Sequence, residues 1–121
     1  MLSKVDATKA SVNGIQIPDI FEDMYEKTIW MLKSCLDAFV NEDADLAYKV
    51  CLTDDEVDMA KRVIREQLEE IIQKDPSQQL YLAKVLGVAR SLERIADHCT
   101  NISEDLIYMM QGKIIRHHDV L

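Results

Sequence analysis

From Asp45 to Lys74 the chain runs without a single Gly or Pro, and its apolar residues return at threes, fours and sevens: Leu46, Val50, Val57, Ile64, Leu68 and Ile71. That period belongs to an α-helix; a half-buried strand would bury every second residue instead. A stripe this long needs other helices to cover it. The whole 121-residue chain holds only 3 Gly and 2 Pro, so it has few tight turns to spend. The remaining segments are therefore expected to be long helices too.

Two further segments fit. The first runs from Asp19 to Val40, with Asp19 as N-cap and Glu22 three residues on, a capping-box spacing. Its stripe is Phe21, Met24, Met31, Leu32, Cys35 and Phe39. Asn41 and the acids of "NEDAD" then make a connection and favour a new helix start. In "KDPSQQ", Pro76 disfavours helix at Asp75 and can open the next one. The third segment runs from Ser77 to Gln111, with the stripe Val85, Val88, Leu92, Cys99, Ile102, Leu106 and Met110. Gly112 is read as its C-cap. Gly87, inside the pattern, either admits a neighbouring helix closely or marks a bend.

Short connections make consecutive helices antiparallel. The expected fold is all-α, an up-down-up antiparallel three-helix bundle over 19–112, with no β-sheet. Residues 1–18 read as an N-terminal arm or linker, "VNGIQIP" being extended, and 113–121 as a C-terminal tail.

Charge and composition exclude several functions. Asp and Glu number 22 against 14 Lys and Arg, for a net charge of −8, and the basic residues are scattered. A nucleic-acid binder gathers them on one face, so no nucleic-acid partner is expected. No apolar run approaches the roughly 20 residues of a membrane span. "MLSKVDATKAS" lacks an apolar signal core, which argues for a cytoplasmic protein. The cysteines, Cys35, Cys51 and Cys99, lie far apart on or beside apolar stripes and read as small buried thiols in a reducing compartment. No C-x-x-C pair suggests a thiolate zinc site.

The unusual feature is a set of acidic pairs. In "ERIADHCTN", Glu93, Asp97 and Asn101 recur at every fourth residue, and "DDEVD" sets Asp54 and Asp58 at the same spacing. Glu93 and Asp97 fall roughly 100–140° from the apolar stripe, and Asp54 borders Val50, so both pairs flank a core face. Like charges one turn apart repel by a few tenths of a kcal/mol. If the second and third helices pack side by side, Asp54, Asp58, Glu93 and Asp97 converge, and a cation offsets their repulsion. An oxygen-only set suits magnesium, calcium, manganese or iron better than zinc. Acids on a helix flank are also commonly just solvated. Without metal, removing one charge by Glu93→Gln is then expected to be neutral or mildly stabilising. No Glu stands three residues before His98, His117 or His118, so the Glu-x-x-His di-iron pattern is absent. A slender bundle offers little pocket to separate two carboxyl pKa values, no triad or phosphate loop is present, and no enzyme is expected.

"ARSLERIADHCTNISEDLIYMMQGKIIRH", residues 89–117, resembles the signature helix of the PhoU family of bacterial phosphate-uptake regulators. The matching positions include Arg90, Leu92, Glu93, Arg94, Ile95, Asp97, Asn101, Ile102, Glu104, Gly112, Arg116 and His117. "DDEVD" resembles the family's acidic motif on the preceding helix, and the likeness covers about 19–118. The resemblance implies metal binding through Asp54-x-x-x-Asp58 and Glu93-x-x-x-Asp97 by a divalent or ferric ion. It also implies a cytoplasmic regulatory adaptor between a phosphate transporter's ATPase subunit and a sensor histidine kinase, reaching the membrane only through those partners. Ala96 stands where the family usually has Gly. Family members usually hold two three-helix repeats; this chain holds one, resembling the C-terminal one. It fits a fragment, a single-repeat homologue, or a regulatory domain detached from a membrane phosphate transporter. A metal-independent helical interaction module is the alternative from the residues alone. A single repeat leaves an apolar flank, so a homodimer is expected in which one copy stands in for the second repeat, burying on the order of 1,200 Å².

Overall fold

The computed structural model describes residues 11–12, 15–16 and 19–120, with side chains over 19–114. Three helices carry the fold: α1 (Asp19–Asn41), α2 (Ala44–Lys74) and α3 (Gln79–Val120), the last preceded by a 3-10 turn, Pro76–Gln78. Each helix packs against both others, and the α2–α3 contact is the most extensive. The expected all-α three-helix bundle is what the chain forms.

The connections follow local chemistry. Asp43 caps α2, its Oδ1 accepting the Leu46 amide at 3.0 Å. Just before it, Glu42 sits at φ 52, the left-handed conformation that ends a helix, and Asp43 N donates to Ala38 O at 2.8 Å. The Glu42 carboxylate is held at 2.7 Å by Lys113, tying this turn to α3. At the other end Asp75 leaves the helix, accepts the Ser77 amide at 3.2 Å, and puts Pro76 at the start of the turn. Asp19 and Glu22 both lie in the first turn of α1.

The core is built from Met24, Met31 and Cys35 of α1, Val50, Val57, Ile64 and Leu68 of α2, and Leu82, Val85, Leu92 and Cys99 of α3. Burying each large side chain contributes about 1.5–3 kcal/mol. Small residues sit where the helices approach: Ala38, Ala47, Ala60, Ala89 and Ala96 are all at most 2% exposed. Thr28 is buried too, its hydroxyl donating to Met24 O at 2.8 Å. Cys35 and Cys99 are buried free thiols and Cys51 is half-buried, as the apolar spacing suggested.

Four details differ from the sequence reading. Leu32, Phe39, Val88 and Ile102, assigned to the core stripes, are exposed; each lies one position off the stripe that the neighbouring helices cover. The third helix does not stop at Gly112 but continues to Val120. One Gly costs a helix only about 1 kcal/mol, and "KIIRHH" beyond it is compatible with helix. At Gly87 a Cβ would meet only Arg90 Nη2, at 3.9 Å, so no close helix approach requires the glycine. Finally, Ser11–Val12 and Ile15–Gln16 form a two-stranded antiparallel pair, Ser11 opposite Gln16 and Val12 opposite Ile15, where an extended linker was expected. The Asn-Gly dipeptide between them in the sequence is the strongest short hairpin signal. Arg116 and His117 lie outside the described side chains.

Candidate metal centre

The α2–α3 seam sets the site. On α2, Val57 and Ala60 point into the core, which leaves Asp54, Asp58 and Lys61, at i, i+4 and i+7, on the flank toward α3. On α3, Leu92, Ala96 and Cys99 are buried, and the positions that follow Leu92 and Ala96, Glu93 and Asp97, turn toward α2. The two acidic motifs therefore do meet.

Three of the four expected carboxylates converge. One oxygen from each of Asp54, Asp58 and Asp97 lies within 4.8 Å of the others, Asp54 and Asp58 half-buried and Asp97 exposed. Two oxygens on opposite sides of a cation bound at 2.0–2.6 Å stand about 4–5 Å apart, so the spacing suits a hard cation. Asp54 Oδ1 is buried without a hydrogen-bond partner.

Glu93 is placed differently. Its Oε1 accepts from Lys61 Nζ at 2.6 Å, the ammonium and carboxylate side chains being 14% and 25% exposed. Lys61 is the group that the sequence reading missed. Its signal was present, since it stands seven residues after Asp54 and three after Asp58, on the same helix flank.

The electrostatics record the crowding. Burial, then a hydrogen bond shared with Glu93, then the charges of Asp54, Glu93 and Asp97 push the Asp58 carboxyl up to about 6. Burial also raises Asp54, helped by Asp97 and Asp55 and opposed by the Thr100 hydroxyl. The same hydroxyl donates to Ala96 O at 3.1 Å. For Glu93 burial works upward, but Lys61, Asp58 and the charge of Arg65 outweigh it and hold the carboxyl below its usual value. As the pH falls toward about 6, the proton that the Asp58–Glu93 pair takes up therefore sits on Asp58. Cys51, near the cluster, has its Sγ 4.0 Å from Thr100 O. Burial and the charges of Glu104 and Asp54 raise its pKa, so it remains a thiol and the donor set is oxygen-only.

His98 is exposed on α3 and takes no part, as its direction on the helix wheel suggested. Among the described residues, no helix is long and apolar enough to cross a membrane.

Residues 21–106 match the PhoU domain model. The chain is 38% identical over 120 residues to the phosphate-specific transport system accessory protein PhoU homolog of Clostridium acetobutylicum, covering 95% of this chain and 55% of that protein. It is 39% identical to PhoU homolog 1 of Thermotoga maritima, over 76% of this chain and 40% of the relative. Against the Escherichia coli accessory protein PhoU it is 36% identical, over 79% and 40%. The chain thus spans about half, or less, of the length of these relatives. No solved structure gives a significant match. With the family model covering most of the three-helix bundle, the chain belongs to the PhoU domain family.

Proposed function

We propose that this chain is a non-enzymatic regulatory adaptor of phosphate transport, working in the cytoplasm and reading or requiring a metal ion at the α2–α3 seam. The observation that carries the adaptor reading is its similarity to relatives named as accessory proteins of the phosphate-specific transport system. The observation that supports the metal is the convergence of Asp54, Asp58 and Asp97, with Asp54 Oδ1 buried and without a hydrogen-bond partner. These three carboxylates would hold a magnesium, manganese or ferric ion, with zinc less suited to an oxygen-only set. Glu93 joins them when it exchanges Lys61 for the metal. The bound cation would neutralise the cluster and fix α2 against α3. In this reading the partners are a transporter's ATPase subunit and a sensor histidine kinase, and two copies of the chain associate.

Thermal melting with added manganese or magnesium tests the metal. Stabilisation should grow as RT ln(1 + [L]/Kd), about 2.7 kcal/mol at one hundred times Kd. Asp58→Asn and Asp97→Asn should abolish most of that gain. A wild-type protein indifferent to these cations would remove the metal from the proposal. Co-purification with the transporter's ATPase subunit tests the adaptor role, and its absence in vivo and in vitro would end that reading.

One observation favours a second reading, a metal-independent interaction module. Lys61 already neutralises Glu93 at 2.6 Å, so the apo cluster carries less charge than four free carboxylates. The same melts separate the two.

A further inference from the structure

Tyr48 of α2 and Tyr108 of α3 are 59% and 75% exposed, the two most exposed of the chain's seven aromatic residues. They stand far apart in sequence, yet they line one cleft of about 330 Å³ with Cys51, Glu104, Ile107 and Gln111. Helix packing makes this cleft. Tyr48 and Cys51 follow buried Ala47 and Val50 on α2, and Glu104 and Ile107 follow buried Ser103 and Leu106 on α3, so all four turn to the α2–α3 flank. Glu104 carries the one charge of the lining. Burial and then the Glu104 charge raise the Cys51 thiol, which places the carboxylate close to it. Among the described residues, no Lys or Arg pairs with Glu104. Lys113, two residues beyond Gln111, is already held by Glu42. Asp54 lies one turn along α2 from Cys51, and Asp97 two turns along α3 from Glu104, in a chain of net charge −8. The cleft therefore opens onto an electronegative flank.

We propose that this cleft takes one arginine side chain of a partner protein, with its guanidinium between Tyr48 and Tyr108 and on the Glu104 carboxylate. This rests on the adaptor reading and deepens it by naming a surface and what that surface recognises. One carboxylate between tyrosine walls is a poor seat for a hard metal ion, which gathers several oxygens. It suits an organic cation, drawn to ring faces and to the carboxylate at once. A guanidinium fits better than an ammonium. Its plane stacks on a ring, its N–H groups donate in parallel to a carboxylate, and it gives up water more readily. The cleft is open on one side and at the small end of the range for whole ligands. It holds a side chain and leaves the backbone that carries it outside. Leu52, one turn beyond Tyr48 and 55% exposed, extends the apolar rim for residues that flank the arginine. Tyrosines that a partner covers are among the residues that dominate binding energy.

Magnetic resonance of the nitrogen-15-labelled full chain in chelator tests this, titrated with the peptide acetyl-Ala-Leu-Arg-Leu-Ala-amide. Saturable shifts are expected at the amides of Tyr48, Cys51, Glu104 and Tyr108, with a Kd on the order of 1 mM for a single anchored side chain. The same peptide with citrulline, which keeps the shape and loses the charge, should bind about tenfold more weakly. Glu104→Gln and Tyr108→Ala should each weaken the arginine peptide about tenfold. Both positions are exposed, so the fold should survive. Asp105→Asn removes the same charge one position round the helix and should leave binding unchanged. No saturable shift, or equal binding of the citrulline peptide, would overturn the proposal. So would Asp97→Asn weakening binding as much as Glu104→Gln, which would mean diffuse attraction to the acidic seam. Shifts at Tyr108 on concentrating the protein alone would put a second copy in the cleft, and spermidine binding more tightly than the peptide would put a polyamine there; either overturns it. The two readings fail apart. The adaptor reading ends when the ATPase subunit does not co-purify, and the cleft ends when the peptide does not bind, whichever way co-purification turns out.

Discussion

Lys61 Nζ stands 2.6 Å from Glu93 Oε1 and ties α2 to α3 across the acidic seam. The seam is therefore not a row of uncompensated carboxylates. One ammonium already lowers its charge, and Asp58 takes up a proton as pH falls through about 6.

The sign of Glu93→Gln in metal-free protein follows. Spacing along α3 suggests a neutral or mildly stabilising change. The Lys61 contact reverses this, because the substitution leaves a largely buried ammonium with a weaker partner. A loss of about 1–2 kcal/mol is expected in urea melts done in chelator. A variant as stable as wild type would show that the bridge contributes nothing.

Lys61→Met should act in opposite directions on stability and metal affinity. The apo protein loses the bridge and is expected to be less stable by about 1–3 kcal/mol. Manganese, freed from repulsion by a nearby ammonium, should bind on the order of tenfold more tightly. Isothermal titration of both proteins at one ionic strength measures the difference, and equal affinities would place the cation away from Lys61.

The pH dependence of the metal-free protein has a definite sign. Asp58 is raised to about 6 from 3.8, so between these values the folded state holds a proton that the unfolded chain releases. Its stability contribution is present at low pH and is lost as pH rises through about 6. The raised Asp54 acts the same way, and the lowered Glu93 acts oppositely, in a window below 4.5. The melting temperature in chelator should therefore rise from pH 7 to pH 5 and fall again below about 4.5. Saturating manganese should flatten the upper limb, since metal replaces the proton.

Gly87→Ala should stabilise the protein by about 0.5–1 kcal/mol. The position is helical, and the added methyl meets nothing nearer than Arg90 Nη2 at 3.9 Å. A higher melting temperature with unchanged metal response is the expected result, and destabilisation would mean that α3 bends there in solution.

The number of helices, their order and their connections were set by local sequence. Scarce Gly and Pro, the periodic stripes from Met24 to Cys35 and from Val50 to Leu68, the cap at Asp43 and the stop at Asp75 each act within a turn or two of chain. So did the placement of both acidic motifs beside a core face. Tertiary structure decided the rest, because it depends on which flank of each helix a neighbour covers. Leu32, Phe39, Val88 and Ile102 are as apolar as the core, yet no other described helix reaches them, while Ala89, Ala96 and Ser103 are buried because the helices pass close there. It also decided that Lys61, thirty-two residues away in sequence, reaches Glu93, while Asp54, Asp58 and Asp97 gather without it. Spacing within α2 puts Lys61 on the seam flank, but which α3 carboxylate it meets turns on the packing of α2 against α3.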